Sequence, residues 1–343
     1  MRGKKHDRRE KVKPVERSDW ADLEIPLGKR TKKYRLLEIL PGAMSYTMII
    51  LLFALSIISP ALGSYYLLLI IAVTLVKAVG IVYRTIQGYN AAKRAEKVNW
   101  HERLVDLETP HERYEVLLKH KCKEFAFNEH VENLKLLSVG KDLVLSESEV
   151  VVDEPISFPK PKEIYHAVIM VAYNEGLETL IPTVEAVRDG SFDNERIIFV
   201  FGYEERGGEA MVENAKVLKN KFKNDFFEFI TVMHPKDLKD EIQGKGPNLN
   251  FAAGELLEFV KKKKIPLKNI IVTSLDSDNK MSKWYLDYVA YQFIVHPNRQ
   301  HLSYQPVSLF TNNIWDAPAP MRIIAISNSF FNIISSMRSH TLK

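Results

Sequence analysis

The sequence is poor in cysteine and lacks the glycine-rich loop with which many nucleotide-hydrolysing proteins hold phosphates. Its single cysteine, Cys122, cannot form a disulfide within the chain, which fits a reducing compartment. The Gly-x-x-x-x-Gly-Lys-Ser/Thr spacing is absent, so nucleotide hydrolysis of the P-loop kind is excluded. Charge is also missing from two long runs. Gly42 to Ser59 contains no charged residue, and Ala61 to Tyr83 contains only Lys77.

These two apolar runs predict a transmembrane helical hairpin over residues 38–84. Each run is close to the roughly 20 residues that a helix needs to cross the hydrocarbon core of a bilayer. Both runs are apolar all round, unlike the one-sided surface helix of a soluble protein. Pro60 and Gly63 are predicted to form the turn between the helices. A secretory signal does not fit, because the first run begins beyond residue 40 and the second follows at once.

Basic residues on both flanks predict the orientation of the hairpin. Residues 1–35 hold 13 Lys or Arg and 6 Asp or Glu, whereas the whole chain has a net charge of only +5. Further basic residues follow the second run from Arg84 to Lys97. The positive-inside rule then places the basic tail, residues 1–37, and both termini on the cytoplasmic side of a multi-pass protein of the cell membrane. Membrane lipids are the expected partners of the tail, and no nucleic-acid partner is expected, since no recognition fold accompanies the charge.

The rest of the chain is predicted to form a connecting region and an α/β domain. Residues 85–162 are expected to hold membrane-proximal helices, short strands over residues 134–154 and a proline-rich linker. From residue 163 onward, strand and helix patterns alternate, which predicts a mostly parallel sheet with helices on both faces. The predicted strands are 164–172, 196–201, 226–233 and 269–275, and the predicted helices are 177–188, 209–223, 250–262 and 282–293.

Three polar motifs interrupt this alternation. The first strand breaks into Tyr173-Asn174-Glu175-Gly176, Lys245 lies between two glycines, and the last strand ends in Asp276-Ser277-Asp278. Ligands of parallel sheets gather beyond the carboxyl ends of the strands, so these motifs are expected at one site. Paired aspartates suit Mg²⁺ or Mn²⁺ rather than zinc. Each motif taken alone also fits a simpler role, as a helix cap, a solvated loop or a surface turn.

In this order and spacing, the motifs resemble those of the family 2 glycosyltransferases, which have a GT-A nucleotide-sugar fold, over roughly Ile164 to Gln305. The resemblance implies an inverting, metal-dependent transfer from a nucleotide-sugar donor to a cell-envelope glycan or a lipid-linked acceptor. It implies that Asp278, with Asp276, ligates Mg²⁺ or Mn²⁺. The donor-binding residues that it implies are Ala172, Tyr173, Glu175, Glu204, Lys245 and Asp276. Gln305, after a predicted short strand, and Trp315 are candidates for the acceptor side.

The last part of the sequence departs from the pattern of this family. An inverting transfer needs a carboxylate that deprotonates the acceptor hydroxyl, but residues 303–343 hold one acid, Asp316, in a context that does not match. The Gln-x-x-Arg-Trp motif of processive synthases is also missing. We therefore expect the domain over residues 163–343 to be incomplete, with its base beyond Lys343. Two alternatives stay open: a non-catalytic membrane subunit that binds a nucleotide sugar, and a sugar nucleotidyltransferase.

Overall fold

The computed structural model describes residues 31–120, 122–139, 158–236, 244–310 and 314–336. The chain divides into two compact units, one up to Val82 and one from Tyr83 onward. Most of the predicted basic tail and the part of the predicted strands from residue 140 to 154 lie outside the described residues, as does Pro155 of the linker.

The first unit is built from two long apolar helices, α1 (Lys32–Ile58) and α2 (Pro60–Ala95), of which α2 continues into the second unit. Both are long and apolar enough to cross a membrane, which indicates membrane association. Helix α1 begins at Lys32, so the end of the predicted tail is helical. Ser59 separates the two helices, and Pro60 is the first residue of α2. The backbone N–H of a first helical residue has no partner within the helix, so proline, which lacks this group, is well suited to the position.

Gly63 was predicted to form the turn, and this prediction is wrong. Gly63 lies inside α2, where a Cβ atom would approach the Cα of Ser56 to 2.9 Å. The glycine therefore permits close contact between α1 and α2 rather than a change of chain direction. The phenol of Tyr66 donates to the carbonyl of Met48 at 3.3 Å and further links the two helices.

The second unit continues with three short helices, α3 (Trp100–Asp106), α4 (Pro110–Leu117) and α5 (Phe127–Val139). The predicted strands are wrong for residues 134–139, which belong to α5. The apolar residues there recur at helical spacing, and Leu134 is buried in the main core while Leu137 packs against it. The predicted helices of this region are confirmed, with Pro110 as the first residue of α4.

The core of the second unit is a four-stranded parallel sheet. Its strands are β1 (Tyr165–Ala172), β2 (Ile197–Glu204), β3 (Glu228–His234) and β4 (Ile270–Asp276), in the order β3-β2-β1-β4. All three strand pairs are parallel, as the alternating pattern predicts. Strands β1 and β2 are apolar on both faces because helices cover each side.

Helices α6 (Leu177–Arg188), α7 (Gly208–Phe222) and α9 (Tyr285–Val295) share one hydrophobic cluster with β1 and β2, which also includes Trp100 of α3. Helix α8 (Lys245–Lys263) covers the other face. Alternate residues of β1 face the two layers, with Val168 and Met170 on the first side and Ala167 and Ile169 on the second. The predicted arrangement of helices on both faces is therefore confirmed.

Two regions near the predicted site differ from expectation. Helix α8 begins at Lys245, five residues before the expected start at Asn250, so the predicted glycine-lysine loop forms its first turn. Residues 302–310 form neither strand nor helix, so the short strand expected before Gln305 is absent. A final helix, α10 (Ala319–Ser336), follows.

Candidate functional site

The carboxyl ends of three strands bring most of the predicted site residues to one edge of the sheet. The register sets Val171 of β1 opposite Asp276 of β4, and Ala172 opposite Tyr203 of β2. The turn after β1 is therefore flanked by the ends of both neighbouring strands. Sequence order alone separates these motifs by about a hundred residues, and parallel pairing brings them together.

Glu175 fixes the turn after β1 and joins it to the end of β4. Its Oε2 accepts the backbone N–H of Tyr173 at 2.7 Å and that of Asn174 at 3.0 Å. Its Oε1 accepts the hydroxyl of Ser277 at 3.0 Å. Partial burial opposes ionisation of Glu175, but these hydrogen bonds outweigh it and lower the pKa of the carboxyl group. Both oxygens are thus engaged within the protein, and Glu175 positions the turn.

Ser277, between the two aspartates, is anchored from a second side. Its carbonyl accepts the hydroxyl of Thr183 in α6 at 2.7 Å, and the residue is buried. The neighbouring Asp276 is half-buried and Asp278 is exposed. Ser277 is therefore held both by α6 and by the turn around Glu175. This fixes the backbone from which the side chains of both aspartates extend.

The charge of Asp276 is offset by Lys245 at the first turn of α8, with which it forms an ion pair. The amide of Asn279 also donates to Asp276, at 3.3 Å. Both partners of the ion pair are about half exposed, so the pair contributes little to stability. It nevertheless places a cation beside the predicted metal-binding motif, on the side of α8.

Asp276 and Asp278 line a cavity of about 320 Å³. This is the lower end of the volume range of small-molecule sites. The remaining walls come from α6, from the loop after β4 and from residues 308–310. Polar side chains on these walls that sequence reasoning missed are Glu178, Thr179, Thr183, Asn279, Lys280 and Ser308. No motif marks those of α6 or Ser308, because α6 and residues 308–310 approach Asp278 only through the tertiary fold, whereas Asn279 and Lys280 follow Asp278 directly in the chain.

Glu204 faces an arginine rather than the cavity. It is buried at the end of β2, where the guanidinium of Arg206 binds its carboxylate with an Nε to Oε2 distance of 2.6 Å. The same guanidinium lies 4.8 Å from the ring centroid of Tyr173. Glu204 therefore orients Arg206 against Tyr173, a half-exposed ring at the site edge.

The remaining predicted residues are distributed unevenly. Ala172 is buried and contributes its carbonyl, which accepts the amide of Asn248 at 3.4 Å. Gln305 is exposed and Trp315 is 81% exposed. Neither lines the cavity, and Asp316 does not either. Of the predicted donor-side residues, only Asp276 lines the cavity. Glu175 and Lys245 contact the end of β4 beside it, and both acceptor-side candidates lie apart from the cavity.

The two aspartates supply only part of the ligands of a divalent cation, so phosphates of a bound substrate and water would have to supply the rest. The described residues contain no group of three or more His, Cys, Asp or Glu side chains arranged to hold a metal ion. Magnesium is commonly held by one or two carboxylates together with substrate phosphates and water. Asp278 and Asp276, which line one cavity, match that kind of incomplete ligand set. Comparison of the chain with models of known protein families and with curated proteins found no match.

Proposed function

We propose that the protein is a membrane-associated glycosyltransferase that binds a nucleotide-sugar donor at the edge formed by β1, β4 and α8. The observation that carries the proposal is the junction of Glu175, Ser277 and the aspartate pair beside one cavity. A nucleotide sugar has a flat base, a ribose and a diphosphate. The exposed ring of Tyr173 and the Asp276 carboxylate suit the nucleoside, and Lys245 and Lys280 supply cations for the diphosphate.

In this proposal, Asp278 and Asp276 hold Mg²⁺ or Mn²⁺ in the presence of the diphosphate. When bound, the ion offsets negative charge on the leaving nucleoside diphosphate. The chain's own contribution is to fix the position of the aspartates through Ser277 and to keep Lys245 beside Asp276. Positioned charge of this kind is a large part of catalysis in transfer reactions.

The acceptor in this proposal is a glycan or lipid-linked glycan of the cell envelope, since the chain carries two helices suited to a membrane. An inverting transfer also needs a base. Among the described acidic residues, only Glu178 joins the two aspartates on the cavity walls. A non-catalytic subunit that binds the donor is the second candidate, favoured because Asp316 does not line the cavity.

Transfer of labelled sugar decides between the two candidates. Membranes that contain the full chain are incubated with a panel of labelled nucleotide sugars and a lipid extract. The first candidate predicts label in lipid or polymer that depends on Mn²⁺ and is lost in Asp278→Asn but not in Glu258→Gln, a matched exposed acid on α8. Metal-dependent donor binding without transfer supports the non-catalytic subunit. Absence of both binding and transfer refutes the proposed function.

The proposed cytoplasmic orientation of the domain has its own probe in Cys122, which is exposed. A membrane-impermeant maleimide should label Cys122 in inverted membrane vesicles and leave it unlabelled in intact cells. Labelling in intact cells would place this part of the chain outside, away from cytosolic nucleotide sugars. Cys122→Ser provides the control for background labelling.

A further inference from the structure

Helix α10 has the reverse of the usual distribution of polar and apolar side chains. Through most of the helix, the residues that face the rest of the unit are half-buried and mostly polar: Arg322, Ala325, Ser329 and Asn332. Most of the residues that face outward are large and apolar, although Ser327 and Asn328 are exposed on the same side. Ile323 is 67% exposed, Ile324 54% and Phe331 60%, and Ile326 and Phe330 are also exposed. Only Ile333 and Ile334, near the end, are buried. A helix in contact with water on its outer face has the opposite pattern.

Specific hydrogen bonds hold the polar face inward. The hydroxyl oxygen of Ser329 accepts the backbone N–H of Phe310 at 2.9 Å. The amide of Asn332 donates to the carbonyl of Ser308 at 3.0 Å. The polar face of α10 thus provides hydrogen-bond partners for backbone groups of Ser308 and Phe310, which belong to neither a strand nor a helix. Rotation of α10 to bury its apolar face would break both bonds.

We infer that α10 lies in the plane of the membrane interface, with its apolar face in the lipid. This apolar face consists of Ile323, Ile324, Ile326, Phe330 and Phe331. The same chain carries α1 and α2, which are the only described helices long and apolar enough to cross a membrane. The chain is therefore in contact with a bilayer, whose hydrocarbon core is an apolar environment for the exposed face of α10. Helix α10 does not pass that test, so an orientation along the surface fits better than a span.

The charge of the region favours a lipid surface over another protein. Residues 317–343 contain three Lys or Arg and no Asp or Glu. Such a composition suits anionic headgroups, which attract basic segments beside the membrane. At the start of α10, the guanidinium of Arg322 lies 5.5 Å from the ring centroid of Trp315. Exposed tryptophan beside arginine is typical of the headgroup level of a bilayer.

This position has a consequence for the cavity, which rests on the proposed function. Ser308, Leu309 and Phe310 form one wall of the cavity, and α10 holds two of them through Ser329 and Asn332. Leu309 and Phe310 are themselves about half exposed. With α10 in the interface, this wall lies at the lipid surface. A lipid-linked acceptor then reaches Asp278 without leaving the membrane.

Spin labels on the full chain test the position of α10 without any sugar or nucleotide. Single cysteines are introduced by Ile324→Cys or Phe331→Cys in a Cys122→Ser background, with Glu258→Cys on the exposed, charged face of α8 as the water-exposed control. The labelled chain is reconstituted in vesicles that contain phosphatidylglycerol. Collision with oxygen, which concentrates in lipid, is compared with collision with a water-soluble nickel chelate. All three positions are exposed, so the substitutions leave the packed core unchanged.

The inference predicts that labels at positions 324 and 331 collide more with oxygen than with nickel, at a depth of about 5 to 10 Å, whereas the label at position 258 shows the reverse. Nickel access at 324 and 331 equal to that at 258 would overturn the inference, because the face would then be in water. Protection of 324 and 331 from both reagents would also overturn it, because protein would then cover the face. Neither outcome bears on sugar transfer, so this proposal and the proposed function fail separately.

Discussion

Replacement of Glu175 by glutamine tests the hydrogen-bonded turn on which the site is built. The carboxylate accepts two backbone N–H groups and the hydroxyl of Ser277. Glutamine keeps one acceptor oxygen for the two N–H groups but removes their charge assistance. Hydrogen bonds to charged groups contribute about 1.5 to 3 kcal/mol and neutral ones about 0.5 to 1.5 kcal/mol. Because Glu175 is partly exposed, we expect Glu175→Gln to lower the free energy of unfolding by about 1 to 2 kcal/mol at neutral pH.

The pH dependence of this difference in the free energy of unfolding tests the role of Glu175 independently. The pKa of folded Glu175 is lowered below its ordinary value of 4.5, so its contribution is present above that pH. As the pH falls through the folded pKa, wild-type Glu175 becomes protonated and the advantage over Glu175→Gln disappears. Thermal unfolding of the full chain in detergent, from neutral to acidic pH, measures both effects, with Glu258→Gln as the exposed control. Equal stability at neutral pH, or a difference that does not change with pH, would refute the role of Glu175.

Two further predictions concern the sheet and the helix α8 that covers one of its faces. At Gly202 a Cβ atom would lie 2.9 Å from the side-chain oxygen of Asn248, so Gly202→Ala should destabilise the protein by about 1 to 3 kcal/mol. Gly254→Ala in α8, where a Cβ atom meets nothing within 4 Å, should be neutral or stabilising by up to about 1 kcal/mol, and chemical denaturation compares the pair. Complete burial lowers the pKa of His166 to about 4 from 6.5. Stability should therefore fall by about 3 kcal/mol as the pH drops through this interval, and this slope should be absent in His166→Leu.

The architecture of the sheet could be predicted from the sequence because its strands are short apolar runs that end in polar turns. Helix α6 begins and ends at the predicted residues, and all four strands are within two residues of their expected starts. Parallel pairing then places Asp276 beside the turn after β1 without further information. These features depend on local patterns and on the connection rules of α/β folds.

Features that depend on packing could not be predicted in the same way. The leucines of α5 fit either a strand or a helix when taken as a short run, and burial against the core decides. The ion pair of Lys245 and Asp276 depends on α8 beginning at Lys245 rather than after a loop. Glu178 reaches the cavity only because α6 faces the loop after β4. The reversed polarity of α10 is visible only when burial is known.

Metal-dependent binding of a nucleoside diphosphate at the aspartate pair is the property on which the proposed donor site depends. Calorimetric titration of the full chain in lipid nanodiscs, with uridine or guanosine diphosphate and with or without Mn²⁺, measures the affinity. A charge-assisted contact contributes about 1.5 to 3 kcal/mol, so Asp278→Asn should weaken Mn²⁺-dependent binding roughly tenfold or more, whereas Glu258→Gln should leave it unchanged. Equal affinity of the wild type and Asp278→Asn, or no metal-dependent binding of either nucleotide, would contradict the account.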